Sequence, residues 1–173
     1  MKLVPTRRTD YGIRALLFLA QQEEHSANAS EIAPAMEIPV GFLHQVLQEL
    51  LRAGLVTSRP GRGGGYALTR SPASITIREI VETLEGPLDA GECALRGGPC
   101  RWKDVCALHW VWSSAQQALA AQLERATLAQ VAEDDRALAA GSKPVPVNAH
   151  RRARSGPAQS RSRARTTTPP KQA

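Results

Sequence analysis

Cys93, Cys100, Cys106 and His109 fall within seventeen residues, and the three thiols are the only cysteines of the chain. They occupy a Gly- and Arg-rich loop, E-C-A-L-R-G-G-P-C-R-W-K-D-V-C-A-L-H, between two stretches that read as helices. A structureless loop of about twenty residues is uncommon in a compact domain unless it is disordered or functional. The spacing C-x6-C-x5-C-x2-H is too open for a zinc knuckle or ribbon, whose ligand pairs lie about two to four residues apart. Three thiolates with one nitrogen or oxygen donor can instead hold an iron–sulfur cluster, whose larger span suits ligands spread over an irregular loop. Gly97, Gly98 and Pro99 supply the bends, while Arg96, Arg101 and Lys103 favour thiolates and offset the negative charge of a cluster. Trp102, Trp110 and Trp112 sit here too, either shielding the site from water or packing at a subunit interface. Taken alone, His109 is an ordinary surface or core histidine; three residues after Cys106 it becomes a candidate ligand.

An odd number of cysteines argues against a closed disulfide framework, and a cytoplasmic protein would keep all three as thiols. No run of eighteen apolar residues is present, so no transmembrane span is expected. The opening M-K-L-V-P-T-R-R-T-D has no apolar signal core, which argues against export. The net charge of +6 is unevenly spread: +2 over residues 1–75, −4 over 76–140 and +8 over 141–173. The segment 141–173 is rich in Pro, Ser, Thr, Arg and Ala and poor in large apolar residues, and is expected to be disordered. It either adds non-specific attraction for nucleic acid through counterion release or serves as a passive solubilising tail.

The elements that must position this loop follow from periodicity. Asp10 or Thr9 can cap a first helix with Ile13, Leu16, Leu17 and Ala20 on one face. A polar loop, residues 23–29, is followed by a short helix, residues 31–36, carrying Ile32 and Ala33 inward. Pro39 suits the first turn of another helix, running to about Ala53 with Leu43, Val46, Leu47, Leu50 and Leu51 buried. Gly54 is placed to end it. Two short strands follow, residues 55–58 and 66–69, around the basic hairpin Arg59-Pro60-Gly61-Arg62-Gly63-Gly64-Gly65. Helix, short helix, turn, helix and basic hairpin is the order of a winged helix-turn-helix. Its recognition helix would present Gly41, His44, Gln45 and Gln48 to base edges in the major groove, and Arg59 and Arg62 of the wing would anchor the hairpin in the minor groove. Singly, His44 and Gln45 are ordinary solvated helix residues; the combination of elements carries the reading. The glycine-rich hairpin lacks the G-K-S/T ending of a phosphate-binding loop. No paired carboxylates or nucleophile–base arrangement accompanies the histidines, so an enzyme is not expected.

Beyond the wing, Thr76-x-x-Glu79 reads as a capping box ahead of Ile77, Ile80, Val81 and Leu84, with Gly86-Pro87 ending that helix. After the cysteine loop a helix resumes near Leu108, with Leu108, Val111, Trp112, Ala115, Leu119, Leu123 and Ala126 spaced for one apolar face. Thr127-x-x-Gln130 resembles a second capping box, opening a short last helix with Leu128 and Val131. The fold class expected is mainly α with a small β-hairpin wing. Residues 1–86 form the winged helix-turn-helix, 87–107 the cysteine loop, 108–140 the dimerisation helix region and 141–173 the basic tail. A long amphipathic helix outside a complete core needs a partner, and a second copy of the chain is the simplest one.

The stretches T-D-Y-G-I-R-A-L-L-F-L-A, G-L-V-T-S-R-P-G-R-G-G-G-Y-A-L and I-T-I-R-E-I-V-E-T-L-E-G, with the three-cysteine loop, resemble the Rrf-type (IscR/NsrR-like) winged-helix transcriptional regulators over about residues 1–135. The resemblance implies a homodimeric transcription factor, usually a repressor, that binds palindromic double-stranded DNA. It also implies sensing of iron–sulfur status, nitric oxide or redox state through a [2Fe–2S] or [4Fe–4S] cluster. The first cysteine spacing here has one residue more than the IscR pattern, which leaves the cluster type open. The resemblance offers two fourth ligands: His109, or Asp10 supplied by the partner subunit, of which His109 is preferred. A thiol-redox or zinc-stabilised winged-helix protein without iron is the competing reading.

Overall fold

The computed structural model describes residues 5–61, 64–88 and 106–146. Among them the order is helix α1 (Arg7–Gln21), strand β1 (Ser26–Ala27), helix α2 (Ala29–Ala35), helix α3 (Val40–Arg52), strands β2 (Val56–Arg59) and β3 (Gly65–Leu68), a 3-10 turn at Pro72–Ser74, and helices α4 (Ile77–Glu85), α5 (His109–Arg125) and α6 (Leu128–Ala139). The antiparallel sheet has the order β1-β3-β2, with Val56 facing Leu68 and Arg59 facing Gly65 in the hairpin and Ala27 facing Tyr66 on the other edge. The described residues thus form a helical domain with a winged helix-turn-helix at its centre, as expected. The first strand, hidden in what reads as a polar loop, is new.

Caps explain where the helices start and stop. Asn28 accepts from the Glu31 amide and the Glu31 carboxylate accepts from the Asn28 amide, so α2 opens two residues before the expected start at Glu31. At the end of α3 the Leu55 amide bonds the Leu50 carbonyl and the Gly54 amide bonds the Leu51 carbonyl, at 3.0 and 3.1 Å. That pattern needs a left-handed residue, which Gly54 supplies at φ 73°. The turn between α2 and α3 uses the same geometry without glycine: Glu37 sits at φ 53° and Ile38 bonds back to Ala33 at 2.9 Å.

Three expectations are corrected. Helix α1 begins at Arg7 with Thr6 at its N-cap position, not at Thr9 or Asp10; Thr9 is fully buried within the helix. Its inward face is Thr9, Gly12, Ala15, Leu16 and Leu19 rather than Ile13, Leu16, Leu17 and Ala20, which apart from Leu16 pack only partly against the core. The reason is close approach: a Cβ on Gly12 would collide with Leu84 and lie 3.3 Å from Val46, so α1 turns its smallest residues toward α3 and α4. Thr76 caps α4 through the Glu79 amide at 3.1 Å, but the Glu79 carboxylate pairs with Arg70 instead of closing the box. Helix α5 is no such case: Ala120 is its buried residue, and Leu108, Val111, Ala115 and Leu119 of the expected apolar face are exposed in the single chain, where that face has no partner.

The core is one cluster, with Leu16, Leu19, Ile32, Leu43, Leu47 and Leu50 from the helix-turn-helix joined by Ile80 and Leu84 of α4 and Leu128 of α6. Helix α6 opens with the full capping box Thr127–Gln130 and packs back on α1. The two capping threonines face each other: Ile77 donates to Ala126 and Leu128 to Ile75, both at 2.8 Å, so the starts of α4 and α6 are stitched together.

Candidate nucleic-acid interface and cysteine site

Helix α3 divides cleanly by burial. Leu43, Val46, Leu47 and Leu50 lie in the core, while Val40, Gly41, Phe42, His44, Gln45, Gln48 and Arg52 are exposed. Gly41 is unusual within that surface. A Cβ there would meet nothing within 4 Å, so no contact among the described residues requires glycine at this helical position. Phe42 leaves half of its side chain in water and sets its ring against Tyr11 of α1, centroids 5.9 Å apart at 64°. Arg59, the last residue of β2, is exposed at the turn end of the wing, opposite Gly65. Arg62 lies outside the described residues.

A polar clasp ties the start of α1 to the end of α4. The Thr6 amide (2.9 Å), the Thr6 hydroxyl (2.5 Å) and the Thr9 hydroxyl all donate to one oxygen of Glu85. Partial burial raises the Glu85 carboxyl, but the bonds from Thr6 and Thr9 and the charge of Arg8 outweigh it and hold the group below its ordinary value. Arg8 donates to the Leu84 carbonyl and pairs with Glu49 of α3 at 3.4 Å. The end of α4, just before the cysteine loop, is therefore fastened to both α1 and the exposed helix.

On the far side of the loop, Cys106 is a free, half-buried thiol at the foot of α5. The His109 amide donates to the Cys106 carbonyl at 2.8 Å, which folds Cys106–His109 into one turn; the His109 ring is exposed and meets Trp110 edge-on, centroids 5.5 Å apart. A thiol and an imidazole on one turn form a compatible donor pair for an iron–sulfur cluster. Cys93 and Cys100 lie outside the described residues. Asp10 is engaged by Arg14 at 2.9 Å, and Arg14 also donates to the Met36 carbonyl at 3.2 Å.

Residues 5–134 match the family model Rrf2, described as an iron-dependent transcriptional regulator. The chain belongs to the Rrf2 family. Among curated Rrf2-like relatives, the HTH-type transcriptional regulator NsrR of Geobacillus kaustophilus (strain HTA426) is 37% identical over 131 residues, covering 75% of this chain and 89% of that protein. The HTH-type transcriptional regulator IscR of Klebsiella pneumoniae (strain 342) is 29% identical over 134 residues, covering 77% and 82%. Among solved structures, CymR, the global cysteine regulator of B. subtilis, superposes with a TM-score of 0.66 at 28% identity, covering 76% of this chain and 98% of that one. The IscR of T. potens gives a TM-score of 0.63 at 28% identity, covering 78% and 90%.

Rrf2 membership makes the chain a DNA-binding transcriptional regulator and not an enzyme. Among the described residues no helix is long and apolar enough to cross a membrane. The Rrf2 fold gathers Gly41, His44, Gln45 and Gln48 on one exposed helix face, and sets Cys106 beside His109 on one turn. Sequence reasoning passed over Val40 and Phe42 because they are apolar residues off the Leu43-Val46-Leu47-Leu50 stripe, which is itself the signal that could have marked them. An open polar cleft of about 550 Å3 beside α4 is lined by Arg70, Arg78, Glu79, Glu82 and Glu124, and both arginines are already paired with these carboxylates.

Proposed function

We propose that this Rrf2 protein is a homodimeric regulator, acting as a repressor, that binds palindromic promoter DNA and senses iron–sulfur, nitric oxide or redox status through a cluster held by Cys93, Cys100, Cys106 and His109. The observation that carries the reading is the placement of Cys106 and His109 on a single turn at the start of α5, across the loop from the end of α4. Bound there, an iron–sulfur centre would supply a group whose loss or oxidation changes the order of the loop. His109 is the fourth ligand in this assignment, since Asp10 is held by Arg14 within its own helix. Base reading falls to Gly41, His44, Gln45 and Gln48, and groove anchoring to Arg59 and Arg62. The exposed Leu108, Trp110 and Val111 of α5 support a second copy covering that face. In this division residues 1–86 bind DNA, 87–107 sense, 108–140 dimerise and 141–173 form a basic tail.

Coupling runs through the chain's own contacts. The sensor loop leaves α4 at Leu84 and Glu85, which Thr6, Arg8 and Thr9 fasten to α1, and Arg8 reaches on to Glu49 of α3. Ordering the loop therefore bears on the angle at which the recognition helices meet half-sites one helical turn, or a multiple, apart. The test is a visible spectrum with iron and sulfide assays on anaerobically purified protein, followed by operator binding of holo and apo forms at matched salt. Cluster absorbance should vanish when any one of the three cysteines becomes Ala while the helical circular dichroism persists. Holo and apo affinities should differ by roughly 5- to 150-fold. Colourless protein carrying stoichiometric zinc would overturn the cluster assignment. The similarity to CymR, which has been solved in an oxidized form from Staphylococcus aureus, makes reversible oxidation of the thiols without iron the second reading; operator binding that responds to oxidant in iron-free protein would favour it.

A further inference from the structure

We propose that Phe42 is a base-reading residue that recognises the 5-methyl group of a thymine in the major groove. A single exposed apolar side chain is ordinary on a protein surface, so exposure alone carries nothing; position and rigidity do. Phe42 is the third residue of α3, in the first turn of the helix that the fold offers to DNA. Its neighbour Gly41 leaves open space around the backbone. The Phe42 side chain is 50% exposed, and its ring is held edge-on by Tyr11 of α1. One side of the phenyl is thereby packed against α1 in a defined orientation, and helical spacing sets Phe42 next to Gln45, at the edge of the exposed face.

The chemistry of the groove narrows the partner. Base edges there present donors, acceptors and one apolar group, the thymine methyl. A phenyl ring has neither donor nor acceptor to offer a base edge, so the methyl is the only edge feature it can prefer. Gln45 stands one turn further along the helix, where residues three apart are neighbours, and a glutamine amide suits adenine. The two side chains together favour A·T pairs at adjoining positions. A rival partner, a protein docking on this patch, would give no dependence on a base methyl.

This inference rests on the reading of α3 as the recognition helix, and the experiment separates the two. Binding sites are selected with the full-length chain from a randomised duplex pool, and dissociation constants are measured by fluorescence anisotropy. Each thymine of the selected site is then replaced in turn by uracil, which removes only the methyl. Wild-type protein should lose about fourfold in affinity at one thymine per half-site, the value of one buried methyl group. Phe42→Ala, checked for folding by circular dichroism, should bind the thymine and uracil duplexes equally. Phe42→Gln provides a second ring-less variant should the alanine form fold poorly. A wild type indifferent to every uracil substitution, or a penalty that survives undiminished in the folded variants, would overturn the assignment of Phe42. A wild type that selects no sequence at all would instead overturn the reading of α3 and this inference with it.

Discussion

Gly41→Ala should move stability and DNA binding in opposite directions. The added Cβ meets nothing within 4 Å among the described residues, which therefore accept it without repacking. Alanine is favoured over glycine by up to about 1 kcal/mol inside a helix. At the second residue of α3, roughly half of that is a reasonable share, which corresponds to a rise in Tm of about 2 °C for a domain of this size. If the backbone at Gly41 approaches base edges or phosphates closely, the same methyl group overpacks the interface. Overpacking costs about 1–3 kcal/mol, a roughly 5- to 150-fold loss of affinity. The assay is paired: thermal unfolding of the free protein by circular dichroism, and anisotropy titration of the selected duplex at fixed salt. Because the substitution carries no charge, the slope of log affinity against log salt should stay as in wild type. A variant that is stabilised and binds with unchanged affinity would show that the helix does not present this turn to DNA. A variant that is destabilised would show that the space around Gly41 is needed by the protein itself.

Two further outcomes follow from the packing. Glu85 is held below its ordinary value of 4.5, so in the folded state it binds its proton less readily than in the unfolded chain; its stabilising contribution is present above the ordinary value and lost as pH falls through the folded one. Urea unfolding of Glu85→Gln and wild type should therefore differ at neutral pH and converge between about pH 5 and pH 3; a constant difference across that window would refute the role of Thr6 and Thr9. Leu128 is fully buried against the winged core, so Leu128→Ala should cost about 2–5 kcal/mol in chemical denaturation. A loss under about 1 kcal/mol would mean that α6 only rests on the surface.

Much of the architecture was legible because it is local. The Leu43-Val46-Leu47-Leu50 stripe, the Gly54 stop, the Thr127–Gln130 box and the basic hairpin are each set by residues within a few positions of one another, and helical period and capping chemistry act at that range. The hairpin after a helix pair likewise announced a wing. What only tertiary structure decided depended on residues far apart in the chain. Strand β1 exists because β3 offers it an edge, at Ala27 and Tyr66, and two residues carry no strand signal of their own. The buried face of α1 shifted because α2, α3, α4 and α6 all pack on it, and Thr9, Gly12 and Ala15 serve there as close-contact residues that a hydrophobicity pattern passes over. Glu79 left its capping box for Arg70, and Asp10 paired with Arg14. The sequence by itself thus determined which segments are helices, where most of them stop, and where the wing lies. Which side chains share a surface, which polar groups are already satisfied, and which apolar residues remain uncovered at Phe42 and along α5 were decided by packing, because burial belongs to the assembled fold rather than to any one segment.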